Sequence, residues 1–226
     1  MENIGLVIAD ENEFAPVKAF AEQNGGTTGI TSGDLWACFS LGHRQVYALL
    51  CGIGKVNAAH GTAVLCYVNR AQAVVNFGLS GALQGLRKND IALGTGFVEY
   101  DFDLTALGYP AGHKPGQTLA YAPDVRLYDA VLAACPQAKP CVFACGDMFV
   151  GDSAKKAQLI EQFHAGCCDM ETAAVAAVCA KAGVPFVSFR SISDDADDCA
   201  AQTYTNTNAR KEDTLLQIFI KMIQNL

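Results

Sequence analysis

The chain has 226 residues, of which 51% are hydrophobic and 17% charged, and its formal net charge is −7 at pH 7. Because only 16 Lys and Arg accompany 23 Asp and Glu, the basic surface of a nucleic-acid binder is missing, and we expect no nucleic-acid partner. No apolar run approaches the roughly 20 residues of a membrane span and the N-terminus lacks the features of a secretory signal, so we expect a cytoplasmic protein without a membrane partner.

Apolar runs and helical patterns alternate along the first half of the chain. Short apolar runs predict buried strands, and apolar residues at helical spacing predict the helices between them. In chain order we predict a strand at 4–9, a helix at 11–23, two strands at 35–41 and 45–51 joined by a turn, a helix at 55–68, and strands at 73–78 and 90–98. A glycine-rich turn at 78–81 follows the strand at 73–78.

Residues 99–124 are rich in Gly, Pro and Tyr and show no clear period, which favours a functional or interface loop. After it we predict helices at 125–134, 154–163 and 171–182, strands at 141–145 and 185–190, and a C-terminal helix from about Thr207. Strands that alternate with helices predict a single α/β domain over 1–226. We expect a three-layer sandwich with a central mixed, largely parallel β-sheet flanked by helices.

The ten cysteines lie in apolar segments and form no Cys-x-x-Cys pair, and the four histidines do not have the spacing of zinc ligands. We therefore expect buried free thiols, no metal and no cofactor. The sequence also contains no dinucleotide-binding glycine motif, no P-loop and no Gly-x-Ser-x-Gly elbow. Rossmann dehydrogenases, P-loop enzymes and α/β-hydrolases are disfavoured.

Polar residues next to predicted strands are the candidates for chemistry, because ligands bind at the carboxyl ends of strands in such folds. The segments concerned are 10–13, 52–55, 78–81, 146–150, 169–171 and 190–194. Three carboxylates among them, Glu13, Glu171 and Asp194, could serve as general acid and base. Each also has an ordinary interpretation, as a helix-start acid or as part of a solvated loop.

Taken in order, several of these segments form a specific series. They are Gly52-Ile53-Gly54-Lys55-Val56-Asn57-Ala58-Ala59, Asn76-Phe77-Gly78-Leu79-Ser80-Gly81-Ala82-Leu83, Gly146-Asp147-Met148-Phe149-Val150, Asp169-Met170-Glu171-Thr172-Ala173-Ala174 and Arg190-Ser191-Ile192-Ser193-Asp194. The series resembles the nucleoside phosphorylase family, and within it the 5′-methylthioadenosine/S-adenosylhomocysteine nucleosidases. The resemblance covers essentially the whole chain.

The resemblance implies a catalytic role for two carboxylates. Asp194 resembles the general acid that protonates purine N7 or donates a hydrogen bond to it, and Ser193 resembles the residue that orients this acid. Glu13 aligns with the glutamate that activates the attacking water.

The resemblance also implies how a purine nucleoside binds. Met170 and Glu171 match the ribose-binding pair, and Glu171 accepts hydrogen bonds from the 2′- and 3′-hydroxyls. Phe149 is similar to the aromatic residue that stacks on the base, and Val150 to the residue whose backbone contacts the base edge. Tyr204 matches an aromatic residue near the sugar.

The pocket walls complete what the resemblance implies. Ile53, Ser80 and Gly81 fall on these walls. Leu107 and Tyr109 resemble the segment that a neighbouring subunit contributes to the 5′ pocket, so a homodimer is expected.

Cleavage of an N-ribosidic bond passes through an oxocarbenium-like sugar, which requires a proton donor, an activated water and an acceptor near the 2′-hydroxyl. Asp194, Glu13 and Glu171 could supply these functions, and we expect lower pKa values for Glu13 and Glu171 than for the acid. The predicted reaction is hydrolysis of a purine nucleoside to the free base and a ribose derivative. The resemblance implies a place in methionine salvage.

The chain departs from the family pattern at several positions. The first strand ends in Ala9-Asp10 where the family usually has a glycine and a methionine. Leu79 replaces a small polar residue, Asp169 a glutamate, and Leu107 an aromatic residue. These departures leave the 5′ substituent open, so hydrolysis of futalosine or of another purine nucleoside is an alternative.

Two further alternatives remain. A phosphorylase holds phosphate with arginines, but this chain has few, and none lies near 78–81 or the end of the first strand in the sequence, which favours water as the nucleophile. A non-catalytic nucleoside-binding protein would not need Glu13 and Asp194. Their presence favours an enzyme.

Overall fold

The computed structural model describes residues 1–31, 33–205 and 210–226. Its strands are β1 (Asn3–Ile8), β2 (Thr27–Thr31), β3 (Asp34–Leu41), β4 (Arg44–Leu50), β5 (Ala73–Ala82), β6 (Ile91–Glu99), β7 (Ala120–Tyr121), β8 (Lys139–Cys145), β9 (Ala165–Asp169) and β10 (Phe186–Asp194). Its helices are α1 (Glu11–Gln23), α2 (Lys55–Ala63), α3 (Val125–Ala134), α4 (Ser153–Phe163), α5 (Thr172–Ala182), α6 (Ala200–Thr205) and α7 (Arg210–Asn225).

The strands of the described residues form one mixed sheet in the order β10-β6-β8-β9-β5-β1-β4-β3-β2, with β7 beside β6. Because β5 pairs with β10 as well as with β9, the strands β5, β10, β6, β8 and β9 close into a ring. Strand β5 is parallel to both β1 and β10. The carboxyl ends of these three strands therefore meet at one edge of the sheet, the usual place for a ligand.

Helices cover both faces of the sheet. On one face α7 packs against α1 and α3, over a core that includes Phe14, Phe77 and Phe219. On the other face α2 packs against α5, over Leu65 and Val175. The predicted three-layer α/β fold with a central mixed sheet is confirmed.

Several elements were not expected from the sequence. The helix predicted at 171–182 is preceded by β9, which is buried at every position and therefore has no polar alternation that would mark it as a strand. Strands β2 and β7 and helix α6 are short. The predicted start of the last helix at Thr207 lies outside the described residues, and the described part of α7 begins at Arg210.

Two predicted strand ends were wrong in the same way. Strand β5 continues through the expected glycine turn to Ala82, and β10 continues to Asp194. The two extensions pair with each other, Ile192 opposite Ser80 and Asp194 opposite Gly81. These extensions were missed because their polar side chains are buried. A run of polar residues in a sequence usually indicates a loop.

Helix 55–68 also differs in detail, because α2 ends at Ala63 and continues as a π-helical turn, Val64–Val68. The cysteines are free thiols and most of them are buried. Within the part of the chain that the structure describes, no helix is long and apolar enough to cross a membrane.

Candidate active site

A cavity of about 470 Å³ opens where β1, β5 and β10 end. Its walls combine buried polar side chains from the strands and helix starts with apolar side chains from the segment after β8 and from α6. They are Ala9, Asp10, Glu13, Ile53, Leu79, Ser80, Gly81, Met148, Phe149, Val150, Cys168, Asp169, Met170, Glu171, Arg190, Ser193, Asp194, Ala201 and Tyr204.

Asp194, the last residue of β10, is buried and has both carboxylate oxygens in hydrogen bonds. The Ser193 hydroxyl donates to Oδ2 over 2.7 Å, and the Ala196 amide donates to Oδ1 over 2.9 Å. The Ser193 oxygen also lies 3.1 Å from the Ser80 carbonyl oxygen. These contacts fix the carboxyl group in one orientation at the cavity wall, as a directed proton donor requires.

Glu13 reaches the cavity from the first turn of α1. Its Oε1 accepts a hydrogen bond from the Leu79 amide over 2.7 Å, while the buried Oε2 has no partner among the described residues. Burial raises the pKa of Glu13 to about 8, and the positive charge of Arg190 opposes this increase. The expectation of a lower pKa at Glu13 is therefore wrong.

Gly78 in β5 allows Glu13 and Arg190 to approach the same stretch of backbone. A Cβ atom at this position would lie 2.6 Å from Arg190 Nη1 and 2.7 Å from Glu13 Oε1. A side chain there would have to displace the Arg190 guanidinium and the Glu13 carboxylate, since real Cβ atoms do not approach other heavy atoms so closely. Glycine at this position therefore allows Glu13 and Arg190 to keep their places.

Arg190 is fully enclosed and neutralised by a polar network. Its Nη2 donates over 2.9 Å to Asn76 Oδ1 and to Thr172 Oγ1, and it lies 3.4 Å from the carboxylates of Asp169 and Glu171. Burial alone would lower the pKa of Arg190, but the nearby carboxylates outweigh burial and raise it. The guanidinium group is thus a permanent positive charge beneath the cavity floor.

Glu171 lies at the start of α5, where two hydrogen bonds orient its carboxylate. The Gly54 amide donates to Oε1 over 3.0 Å, and Arg190 contacts Oε2. Burial raises the pKa of Glu171, while Arg190 lowers it, so the low pKa expected here is also wrong. The α5 amides of Glu171 and Thr172 donate to Asp169 Oδ1 over 2.8 and 2.7 Å, so Asp169 caps the helix.

The segment that follows β8 brings Phe149 and Val150 to the cavity. The Phe149 ring is 46% exposed and meets Tyr204 edge to face at 5.8 Å. Asp147 holds this segment in place, because its Oδ1 accepts from the Lys55 amide and its own amide donates to Asp101. An exposed aromatic face at a cavity wall is suited to stacking on a planar base.

The structure brings together every predicted site residue except Leu107 and Tyr109, the two that were expected from a neighbouring subunit. Leu107 lies in a 3-10 turn, is 72% exposed and does not belong to the described cavity wall. Its contribution from a neighbouring subunit stays a prediction.

Two residues that were not among the predicted site residues also line the cavity. Arg190 belongs to the candidate segment 190–194, whereas Cys168 belongs to none of the candidate segments. The expectation that no arginine lies near 78–81 was wrong in space, because Arg190 Nη1 donates to the Leu79 carbonyl over 3.3 Å. The sequence signal that could have identified Arg190 is its place at the start of the Arg190-Ser191-Ile192-Ser193-Asp194 segment. Burial raises the pKa of Cys168 to about 12, so its thiol stays protonated.

Comparisons with known proteins agree with this geometry. The family model of the phosphorylase superfamily matches residues 3–224. The 5′-methylthioadenosine/S-adenosylhomocysteine nucleosidase of Geobacillus thermodenitrificans is 35% identical over 230 residues, 97% of either chain.

Solved structures superpose over the whole chain. The nucleosidase of that name from Neisseria meningitidis, in complex with methylthio-immucillin-A, has a TM-score of 0.94 at 27% identity and covers 100% of both chains. The native futalosine hydrolase of Helicobacter pylori has a TM-score of 0.93 at 27% identity and covers 100% of this chain and 98% of its own.

Proposed function

This chain belongs to the phosphorylase superfamily, and from that premise we propose that it is a nucleosidase of the 5′-methylthioadenosine/S-adenosylhomocysteine type. It hydrolyses the N-glycosidic bond of a purine nucleoside to the free base and a ribose derivative. One observation carries the proposal: Glu13 and Asp194 line one cavity from opposite sides of β5.

The two carboxyl groups reach β5 from different elements. Asp194 ends β10 and Glu13 lies in α1 after β1, and both strands neighbour β5. Glu13 Oε1 would lie 2.7 Å from a Cβ atom on Gly78, and Asp194 Oδ1 would lie 3.0 Å from one on Gly81. Two carboxyl groups at separate points of one cavity wall suit hydrolysis, in which one acts on the leaving group and the other on the attacking water.

Asp194 acts on the leaving group. Its fixed carboxyl donates a proton or a hydrogen bond to purine N7, so that the base leaves as a neutral molecule. Phe149 stacks on the base and the Val150 backbone contacts its edge. Ser193 holds the acid in the reactive orientation.

Glu13 activates the attacking water. Its Oε2 is the free acceptor, and a pKa of about 8 lies near the operating pH, as efficient general-base catalysis requires. Arg190 approaches the same face of Gly78, and its positive charge lowers the cost of ionising the carboxyl. The proton removed from water passes to Glu13 while the hydroxide oxygen bonds to the sugar.

Glu171 holds the ribose. Its carboxylate, oriented by the Gly54 amide and by Arg190, accepts hydrogen bonds from the 2′- and 3′-hydroxyls beside Met170. A negative charge close to the 2′-hydroxyl also stabilises the positive sugar of the transition state. Ile53, Ser80, Gly81 and Tyr204 form the remaining walls.

Water rather than phosphate is the nucleophile, because the positive charge at the cavity is already paired. Arg190 is shared among Asn76, Thr172, Asp169 and Glu171, and no other Arg or Lys belongs to the described cavity wall. A doubly charged anion would need a free cation there.

The test is release of purine base from 5′-methylthioadenosine, S-adenosylhomocysteine, adenosine, inosine and futalosine, each with and without phosphate. We expect release that does not depend on phosphate. Strict phosphate dependence would show a phosphorylase, and preference for futalosine would show the related hydrolase. Tight binding without turnover would show a nucleoside-binding protein.

The resemblance also supports a homodimer in which Leu107 and Tyr109 of one subunit complete the cavity of the other. On the same basis we place the protein in the cytoplasm and in methionine salvage. The family match over 3–224 supports a single domain spanning 1–226.

A further inference from the structure

One end of the cavity carries a negative charge that the proposed reaction does not use. Asp10 lines the cavity directly after β1, and Tyr204 lines it from α6. Because β5 lies between β1 and β10, Asp10 and Asp194 line the cavity from opposite sides of β5. With the base held at Asp194, as the proposed function requires, Asp10 lies at the end of the cavity that is remote from the base.

Asp10 is also the N-cap of α1, and this structural role accounts for only one of its oxygens. Oδ1 accepts from the Asn12 amide over 2.8 Å, whereas no hydrogen bond to Oδ2 occurs among the described residues. The charge also interacts favourably with the helix dipole. The hydrogen bond of the cap nevertheless uses only Oδ1, which leaves Oδ2 available to a ligand.

Acidic side chains lie around Tyr204 at this end of the cavity. Glu13 Oε2 is buried at the wall without a partner, and Glu212 is 6% exposed with its Oε2 unpaired among the described residues. Burial raises the pKa of Tyr204 to about 12, with smaller contributions from Asp10, Glu13, Glu171 and Glu212. The only positive side chain of the described wall, Arg190, is engaged by other carboxylates.

We propose that this end is a 5′ subsite for a hydrogen-bond donor or a cation, held by the Asp10 carboxylate. The inference rests on the proposed function and narrows its substrate class. Among purine nucleosides, the chain favours those whose C5′ carries a hydroxyl or an ammonium group over those that carry an apolar methylthio group. A 5′ anion is rejected, because it would face Asp10 and the other carboxylates without a counter-charge.

The test compares three nucleosides with the same adenine and different 5′ groups: 5′-amino-5′-deoxyadenosine, whose amine is protonated at pH 7, adenosine, and 5′-methylthioadenosine. We expect kcat/KM for adenine release to be highest for the amine and lowest for the methylthio compound. Asp10→Asn keeps the helix cap but loses the charge. We expect the ratio of kcat/KM for the amine to kcat/KM for the methylthio compound to fall about tenfold or more in this variant, which corresponds to the loss of a charge-assisted hydrogen bond.

The matched control is Asp124→Asn, because Asp124 caps α3 with the same geometry and lies outside the cavity wall. We expect it to leave the ratio unchanged. A wild type that prefers the methylthio compound, or an unchanged ratio in Asp10→Asn, overturns the 5′ subsite.

Failure of the proposed function has a different signature, namely no adenine released from any of the three nucleosides. Calorimetric binding of the amine and of the methylthio compound then replaces turnover as the readout. The subsite requires tighter binding of the amine, and it requires that Asp10→Asn removes this difference. Equal binding overturns it.

Discussion

At the residue scale, the three buried carboxylates of the site are held in three different ways. Both oxygens of Asp194 are engaged by neutral donors. Glu13 has one oxygen engaged and one free, and Glu171 contacts an amide and a guanidinium. The three carboxylates thus lie in different environments, the condition under which one site can separate an acid from a base.

The role of Asp194 as proton donor predicts the effect of Asp194→Asn. The amide keeps the shape and can still lie between Ser193 and Ala196, but it cannot transfer a proton, so we expect kcat to fall about 10²–10⁴-fold. Adenine release measures the loss, and thermal unfolding followed by circular dichroism checks the fold. Asp195→Asn, an exposed neighbour, should retain activity. Full activity of Asp194→Asn would refute the assignment.

The raised pKa of Glu13 predicts a pH-dependent stability. A carboxyl with a pKa of about 8 in the folded state and 4.5 otherwise stabilises the fold below pH 4.5, and this contribution is lost as the pH rises through 8. Glu13→Gln cannot ionise. We therefore expect the variant to gain stability relative to the wild type between pH 5 and 9, by on the order of a few kcal/mol.

Urea unfolding at several pH values measures this difference. Glu11→Gln, on the exposed side of the same helix turn, is the control and should show no such trend. A difference between Glu13→Gln and wild type that does not change with pH contradicts the burial of an ionisable group at this position. Activity of Glu13→Gln should be lost at every pH.

At the scale of elements, the end of β5 beyond its apolar part contributes most to the site. The extension pairs with the end of β10 and carries Gly78, whose missing side chain leaves room for Glu13 and Arg190. We expect Gly78→Ala to displace both groups and to lower kcat at least 100-fold, because misplaced catalytic groups lose their alignment. The loss in kcat measures this crowding.

Gly96→Ala is the matched control for this substitution. Gly96 is also a strand glycine, but a Cβ there would lie 3.7 Å or more from its neighbours, which is ordinary contact. Its activity and unfolding midpoint should resemble those of the wild type. If Gly78→Ala were equally active, the close approach of Glu13 and Arg190 would have no catalytic importance.

The sequence predicted the elements in which apolar residues recur with helix or strand periodicity. It missed the segments in which polar residues are buried. Helix α1 matches the predicted 11–23 because Asp10 and the acidic first turn mark its start. The ends of β5 and β10 were missed because Ser80, Ser193 and Asp194 are polar yet buried. Ser193 hydrogen-bonds to the Ser80 carbonyl, 113 residues away in the chain. A local sequence pattern cannot indicate such a contact. The predicted site residues came from the order of the motifs, whereas the function of Arg190 required the structure.

At the scale of the whole molecule, the closed ring of strands explains why distant segments share one site. Closure places β9 and β10 on opposite sides of β5, so that Asp169 and Asp194 flank the same strand. The parallel neighbour β1 adds Glu13 from α1. Separate layers of helices then fix these strands from both faces. The carboxylates are thus positioned by the architecture rather than by a loop.

The proposed homodimer gives the last prediction at this scale. Leu107 is 72% exposed, and burial of such a side chain in a subunit interface contributes about 1.5–3 kcal/mol. A carboxylate there would lose this energy and add an unpaired charge. We therefore expect Leu107→Asp to shift the mass measured by light scattering from twice 23.9 kDa towards 23.9 kDa. If the partner's loop completes the cavity as proposed, kcat/KM should also fall about tenfold or more.

Val125→Asp, at an exposed apolar position at the start of α3, is the control and should change neither quantity. A wild-type mass of 23.9 kDa, or unaltered kcat/KM in a monomeric Leu107→Asp, would contradict a shared cavity.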